Sequence, residues 1–108
     1  VIFYIFDMLS LANIFKGTLR EFWEKYLDAR SSLEFWYSTV EGIDFVLPND
    51  VLAFFKNADT IGNNRIVFNI ANNKYRLIVK FVYERKFAFV RFIGTHKEYD
   101  KLKDINKL

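Results

Sequence analysis

The sequence contains no cysteine and, among its 108 residues, one histidine, one proline, one methionine and four glycines. Without cysteine there is no disulfide framework, no thiolate metal site and no thiol nucleophile. A lone His96 cannot build a histidine-rich metal cluster. No apolar run approaches the roughly 20 residues that span a bilayer, so no membrane partner is expected. Glycine-rich phosphate loops, paired-carboxylate sites and Gly-x-Ser-x-Gly motifs are missing, and no motif asks for a cofactor. There is no internal repeat, linker or low-complexity segment. What is present is a single-domain length of chain, 52% apolar and 27% charged, which excludes disorder. Aromatic residues reach 19%, with 13 Phe, six Tyr and two Trp.

Acidic residues are also scarce, but only in one half. Residues 1–62 carry five Lys/Arg against nine Asp/Glu, a balance of −4. Residues 63–108 carry eleven against four, a balance of +7. Between Gly62 and Thr95 the one acid is Glu84. A basic half of this kind suits an anionic partner, nucleic acid first.

Val1–Phe6 is wholly apolar and ends at Asp7; no Lys or Arg precedes it, and it is too short for a signal peptide. Met8 is the single methionine, so the start could lie at or after it, or residues 1–7 could form an extra strand or tail. Leu11–Lys16 reads as a short strand. Thr18 with Glu21 reads as a capping box opening a helix along Leu19, Phe22, Trp23 and Tyr26. Asp28–Ser32 breaks it. A second helix runs from about Ser32 to Val40, burying Leu33, Trp36, Tyr37 and Val40, and Gly42 ends it. Pro48-Asn49-Asp50 turns the chain into a short helix, Val51 to about Lys56.

From Gly62 the period changes to two. Arg65–Ile70, Lys74–Tyr83 and Phe87–Thr95 read as strands, joined by Ala71-Asn72-Asn73 and Glu84-Arg85-Lys86. His96 to about Leu102 closes the chain as a helical turn or two. Helices followed by a strand meander predict an α+β domain, an antiparallel sheet backed by a helical hairpin. Alternation places Ile66, Phe68, Ile70, Tyr75, Leu77, Val79, Phe81, Ala88, Val90 and Phe92 on the face toward the helices. The other face collects Arg65, Asn69, Lys74, Arg76, Lys80 and Arg91, with Phe87, Phe89 and Ile93 among them. Such a face can be a solvated one with cations for solubility and edge protection. The missing carboxylates favour phosphate binding instead, since a plain surface mixes signs.

His96 follows Gly94-Thr95 at the mouth of this face and leads into a helix that also carries Tyr99 on the same side. Histidine titrates near neutrality and can move a proton. Arg76 and Arg91 can stabilise the charge of a phosphorane-like transition state. Together these groups suffice for metal-independent RNA cleavage: the 2′-OH loses a proton, attacks the adjacent phosphate, and an acid protonates the leaving 5′-oxygen. Metal-nuclease chemistry is disfavoured by the lack of an Asp/Glu cluster on the basic face.

Four segments carry a family resemblance: Thr18-Leu19-Arg20-Glu21-Phe22-Trp23-Glu24-Lys25, Gly62 to Ile70, Asn73-Lys74-Tyr75-Arg76-Leu77, and Arg91 to Lys101. From about Asn13 to Leu102 the chain resembles the HigB family of type II toxin–antitoxin toxins, within the RelE-like ribosome-dependent mRNA interferases. The resemblance implies a RelE-like compact fold with a short N-terminal strand pairing into a curved antiparallel sheet. It implies cleavage of mRNA in the ribosomal A site in the cytoplasm, and neutralisation by a HigA-type helix-turn-helix antitoxin. Operator DNA would be reached only through the antitoxin complex. Residue by residue, it implies catalytic roles for Arg76 and His96, then Tyr99, with Lys80 and Arg91 beside them, and RNA contacts from Arg65, Asn69, Lys74 and Lys97. Some relatives use lysines where this chain has Arg65 and Asn69; Lys80 is a substitute on the same face. Family members start near the equivalent of Leu11, so residues 1–10 read as an atypical extension and 11–108 as the toxin domain. The alternative is a catalytically inactive RNA- or antitoxin-binding module of the same fold.

Overall fold

The computed structural model describes residues 2–3 and 11–108, with side chains from Thr18 onward. Strand β1 (Ile2–Phe3) is followed by helices α1 (Leu11–Lys25), α2 (Arg30–Gly42) and α3 (Pro48–Leu52). Strands β2 (Ala58–Gly62), β3 (Arg65–Ile70), β4 (Tyr75–Val82) and β5 (Phe87–Thr95) follow, then helix α4 (His96–Asp100). The sheet order is β1-β5-β4-β3-β2: β2 to β5 form an antiparallel meander, and β1 lies parallel to β5 along Phe87 and Ala88. This is the expected α+β architecture. Among the described residues, no helix is long and apolar enough to cross a membrane.

The N-terminal third differs in detail from the sequence reading. Leu11–Lys16 is helical, and Thr18 lies inside α1 rather than capping it. The apolar spacing Leu11, Ile14, Phe15 runs on into Leu19 and Phe22 with one helical period, so the Thr18–Glu21 spacing is a coincidence of composition. The first strand is Ile2–Phe3, inside the segment read as an extension. Val1 and residues 4–10, Met8 included, lie outside the described residues. A 3₁₀ turn at Leu27–Ala29 separates α1 from α2, which starts two residues earlier than expected. Helix α3 begins at Pro48 because its fixed φ suits a first helical turn, and Asp50 accepts from the Val46 and Leu47 N–H groups at 2.9 Å each.

The hairpin turns use residues that tolerate left-handed backbone. Asn63 and Asn64 follow Gly62 with positive φ between β2 and β3, and Ala71, Asn72 and Asn73 do so between β3 and β4. The core lies between the sheet and the helices. Leu19, Leu33, Trp36 and Val40 meet Ile66, Phe68, Leu77, Val79 and Phe81, all nearly or fully buried. Each such side chain contributes about 1.5–3 kcal/mol by leaving water. Edge-to-face pairs, Trp36 with Phe68 at 5.5 Å and Phe45 with Phe81 at 5.1 Å, order the rings within it.

One irregularity decides what the other sheet face carries. Ile78 pairs with Phe92, but Val79 pairs with Val90, so Arg91 is the extra residue of a β-bulge. The bulge reverses the alternation within β5. Ile93, expected on the cationic face, packs on the core. Phe92, expected in the core, shares a rung with Ile78 on the cationic face.

Candidate nucleic-acid interface

The cross-strand register arranges the cationic face as three rungs. The first is Asn69–Arg76–Gly94, the second Val67–Ile78–Phe92, the third Arg65–Lys80–Phe89. Val67 and Ile78 are buried, so a dry apolar rung separates two polar ones. Lys80 lies four residues along β4 from Arg76, roughly 13 Å at strand rise.

The first rung leads straight into α4. Thr95 caps that helix: its Oγ1 accepts from the Glu98 N–H at 3.2 Å, and Glu98 Oε1 accepts from the Thr95 N–H at 2.8 Å. The bond from the Thr95 N–H, and then the Thr95 side-chain hydroxyl, hold the Glu98 carboxyl below the usual carboxylate range. The His96 N–H donates to the Lys74 carbonyl at 3.0 Å, tying the helix start to β4. The cap thus fixes the helix that carries His96 and Tyr99 at the end of the sheet. The Arg76 guanidinium sits over the Tyr99 ring at 5.7 Å. Its Nη1 donates to the Asn73 carbonyl at 2.8 Å and the Tyr75 carbonyl at 3.3 Å, while Nε and Nη2 have no protein partner among the described residues. Phe92 lies 6.4 Å from Tyr99 and across Gly94, where a Cβ would stand 2.6 Å from the Phe92 ring. His96 Nε2 lies 3.4 Å from Asp100 Oδ1, both half-exposed. Asp100 and Phe92 belong to the site although the sequence reading did not single them out. His-x-x-x-Asp spacing on a helix was the available signal for the first; the bulge hid the second.

The remaining candidates divide. Lys80 makes no ion pair among the described residues and stands between Arg65 and Phe89 on its rung. Arg91, exposed at the bulge, lies over the Phe89 ring at 5.4 Å. Asn69 faces Arg76 across the strands, and Lys97 is exposed on α4. Arg65 is engaged elsewhere: its Nε and Nη2 donate to the main-chain oxygen of Leu108 at 3.1 and 2.6 Å, and Nη1 to Asn63 at 2.7 Å. Burial, and then the Arg91 charge, lowers its pKa from the usual guanidinium value. Lys74 turns to the helical side, where its Nζ meets Asp28 Oδ2 at 3.0 Å. The Tyr75 hydroxyl donates to Oδ1 of the same carboxylate at 2.6 Å. That bond, and then Lys74, holds Asp28 below its ordinary range. The same bond, and then burial, pushes Tyr75 up to about 12.

The larger surface cavity, about 330 Å³, lies between α1 and α2 and is bordered by Arg20, Glu24, Arg30 and Glu34. It mixes charges and sits on the helical layer, away from the rungs, so it is not where the anion chemistry collects.

The HigB toxin family model, described as the RelE-like toxic component of a toxin–antitoxin system, matches residues 29–102. The mRNA interferase HigB of Escherichia coli O6:H1 (strain CFT073) is 31% identical over 91 residues, covering 82% of this chain and 88% of that protein. The mRNA interferase toxin HigB of Escherichia coli K12 is 28% identical over 89 residues, covering 81% and 86%.

Proposed function

The chain belongs to the HigB family of RelE-like toxins of toxin–antitoxin systems, and on that premise we propose that it is an endoribonuclease that cuts mRNA on the ribosome. The observation carrying this reading is the Arg76 guanidinium over the ring of Tyr99, on the helix that His96 opens, at one end of a cationic sheet face. The relatives named as mRNA interferases support the substrate.

In the proposed reaction a phosphodiester straddles the Arg76 rung. His96, neutral, takes the proton of the 2′-OH, and the 2′-oxygen attacks phosphorus. Asp100 Oδ1 lies 3.4 Å from the His96 Nε2. Arg76 directs its unpartnered nitrogens at the non-bridging oxygens, whose charge grows in the transition state. The Tyr99 phenol, with the Arg76 guanidinium over its ring, gives its proton to the leaving 5′-oxygen. The P–O5′ bond breaks, leaving a 2′,3′-cyclic phosphate and a 5′-hydroxyl. Proton transfer then resets His96 and Tyr99. No metal ion takes part in this scheme. Lys80, roughly 13 Å along the face, and Arg91 hold a further phosphate. Asn69 and Lys97 flank the scissile one. The partners of this reading are the ribosomal A site in the cytoplasm and a HigA-type antitoxin, whose complex reaches operator DNA.

The test is cleavage of mRNA on programmed ribosomes with an empty A site. Wild type should cut, His96→Ala should lose about 10²–10⁴ in rate, and Arg76→Ala about 10²–10³, both still folded. Intact mRNA with folded wild type would leave an RNA- or antitoxin-binding module. Full activity in both variants would remove the residue roles.

A further inference from the structure

Three successive residues with left-handed backbone, Ala71, Asn72 and Asn73, join β3 to β4 at the Arg76 end of the cationic face. Asparagine tolerates that region, but alanine is disfavoured there because its Cβ crowds the following carbonyl oxygen. The turn closes through the Lys74 N–H, which donates to the Ala71 carbonyl at 3.2 Å. The helical layer then braces it from below. The Ala71 N–H donates to Ser32 Oγ of α2 at 3.3 Å. Asp28, in the 3₁₀ turn between α1 and α2, grips the far end of the turn with both carboxylate oxygens. Lys74 Nζ donates to Oδ2 at 3.0 Å, and the Tyr75 hydroxyl to Oδ1 at 2.6 Å. The rings of Phe22 and Tyr26, 5.2 and 5.1 Å from that of Tyr75, fix the phenol in place.

The turn in its turn holds the arginine of the first rung. Arg76 Nη1 donates to the Asn73 carbonyl at 2.8 Å and to the Tyr75 carbonyl at 3.3 Å. Asn73 lies in the turn, outside the β3–β4 ladder, whose last pair is Ile70 with Tyr75. The shorter guanidinium bond therefore ends on backbone that the ladder does not fix. The bond from the His96 N–H to the Lys74 carbonyl differs, because it continues the β4–β5 ladder from the Tyr75–Thr95 pair. Arg76 is thus the site group that depends on the turn. Alternation sends its side chain to the face opposite Tyr75, so Asp28 acts through backbone, from the side of the sheet that RNA does not meet.

We propose that Asp28 is a positioning residue for cleavage: from the helical side it fixes the turn that orients the Arg76 guanidinium on the cationic face. The inference rests on the interferase reading, which gives Arg76 the scissile phosphate, and adds to it a residue remote from the RNA.

The experiment measures cleavage on programmed ribosomes with Asp28→Asn, which keeps the shape and removes the charge. Asp28 is exposed, so the variant keeps the core. Its kcat should fall about tenfold with KM held within about twofold, because a displaced guanidinium weakens the stabilisation of the transition state. Tyr75→Phe, which removes one of the two ties and leaves the ring, should show a smaller fall of the same kind. Glu34→Gln, which breaks the exposed Arg30–Glu34 pair of α2, should cut as wild type does. In an Arg76→Ala background, Asp28→Asn should cost no more than about twofold further, since the two changes remove one interaction. A wild-type kcat in folded Asp28→Asn overturns the proposal. So does a loss confined to KM, and so does an undiminished loss in the Arg76→Ala background, which would make the effect one of general stability. A second readout does not depend on cutting: the Arg76 Nε–Hε resonance should move in Asp28→Asn while that of Arg91 stays still. An unmoved Arg76 resonance, or an equal movement of both, overturns the positioning role. Absence of cutting by wild type would count against the interferase reading alone.

Discussion

Replacing Gly94 with alanine should invert the usual effect of that change in a strand. Alanine normally gains about 0.5–1 kcal/mol over glycine inside a strand, because the unfolded chain has less freedom to lose. At Gly94 the new Cβ would stand 2.6 Å from the Phe92 ring tip and 3.0 Å from Glu98 Oε1. Carbon atoms pack at about 3.5–4.0 Å, so the ring must retreat by roughly 1 Å. Phe92 is half-buried on the cationic face and can swing outward, which keeps the strain at the lower end of the 1–3 kcal/mol typical of overpacking, about 1–1.5 kcal/mol. The net is a loss near 0.5 kcal/mol, with Tm falling by about 2–4 °C. Activity should fall further than stability. The displaced ring is the neighbour of Tyr99, and Glu98 closes the cap that aims His96. A tenfold loss of cleavage in a folded protein is expected, in line with the cost of small misplacements at reacting groups. Gly94→Ala/Phe92→Leu, which removes the ring tip, should recover the alanine's stabilising sign in urea unfolding. A single variant more stable than wild type, or a double variant no better than the single, would refute the steric reasoning.

Other outcomes follow from the same geometry. Phe45→Ala, emptying a fully buried site against Phe81, should cost about 3–5 kcal/mol by chemical denaturation. Asp28 has its pKa lowered on folding, so its contribution is present above the unfolded value of 3.8 and is lost as pH falls through the folded one. Tyr75 and Tyr83 are raised to about 12, Tyr75 by the Asp28 hydrogen bond and Tyr83 by burial, so their contributions hold below pH 10 and fade between 10 and 12. Tyr75→Phe should therefore remove about half of the alkaline loss in a Tm-against-pH series, and an unchanged alkaline slope would contradict the assignment. Arg65→Met should speed proteolysis of residues 104–108, which the guanidinium ties to β3, while lowering RNA cleavage less than Arg76→Ala does.

The sequence made the sheet legible wherever local pattern and turn chemistry agreed. Strands β3 and β5 have the bounds expected, because β-branched and aromatic runs are bracketed by asparagine and charged turns. Strand β2 went unseen: Asp59 and Thr60 point to solvent on an edge strand and leave no apolar alternation to count. The α1 start was misplaced because a capping-box spacing can occur inside a helix, where it caps nothing. The bulge at Arg91 could not be read from Phe87–Thr95, since alternation is a local property and register belongs to two strands. Of the site, Arg76 and Tyr99 do meet, and His96 starts the helix that carries Tyr99. Lys74 was read as part of the cationic face, yet it stands in the turn before β4, free to reach Asp28 on the other side. The resemblance gives Arg65 an RNA contact, and a segment far away in sequence also holds its guanidinium, through the Leu108 main-chain oxygen.

The parallel strand β1 has a kinetic meaning. Strands β2 to β5 join sequence neighbours through short turns, so their contacts close small loops and form early. The pairing of Ile2 with Phe87 closes nearly the whole chain and must wait for β5 to exist. Folding should proceed as a fast meander followed by a slower docking of β1. The Arg76 and Lys80 rungs belong to the fast part, so the cationic face matures before the sheet is complete.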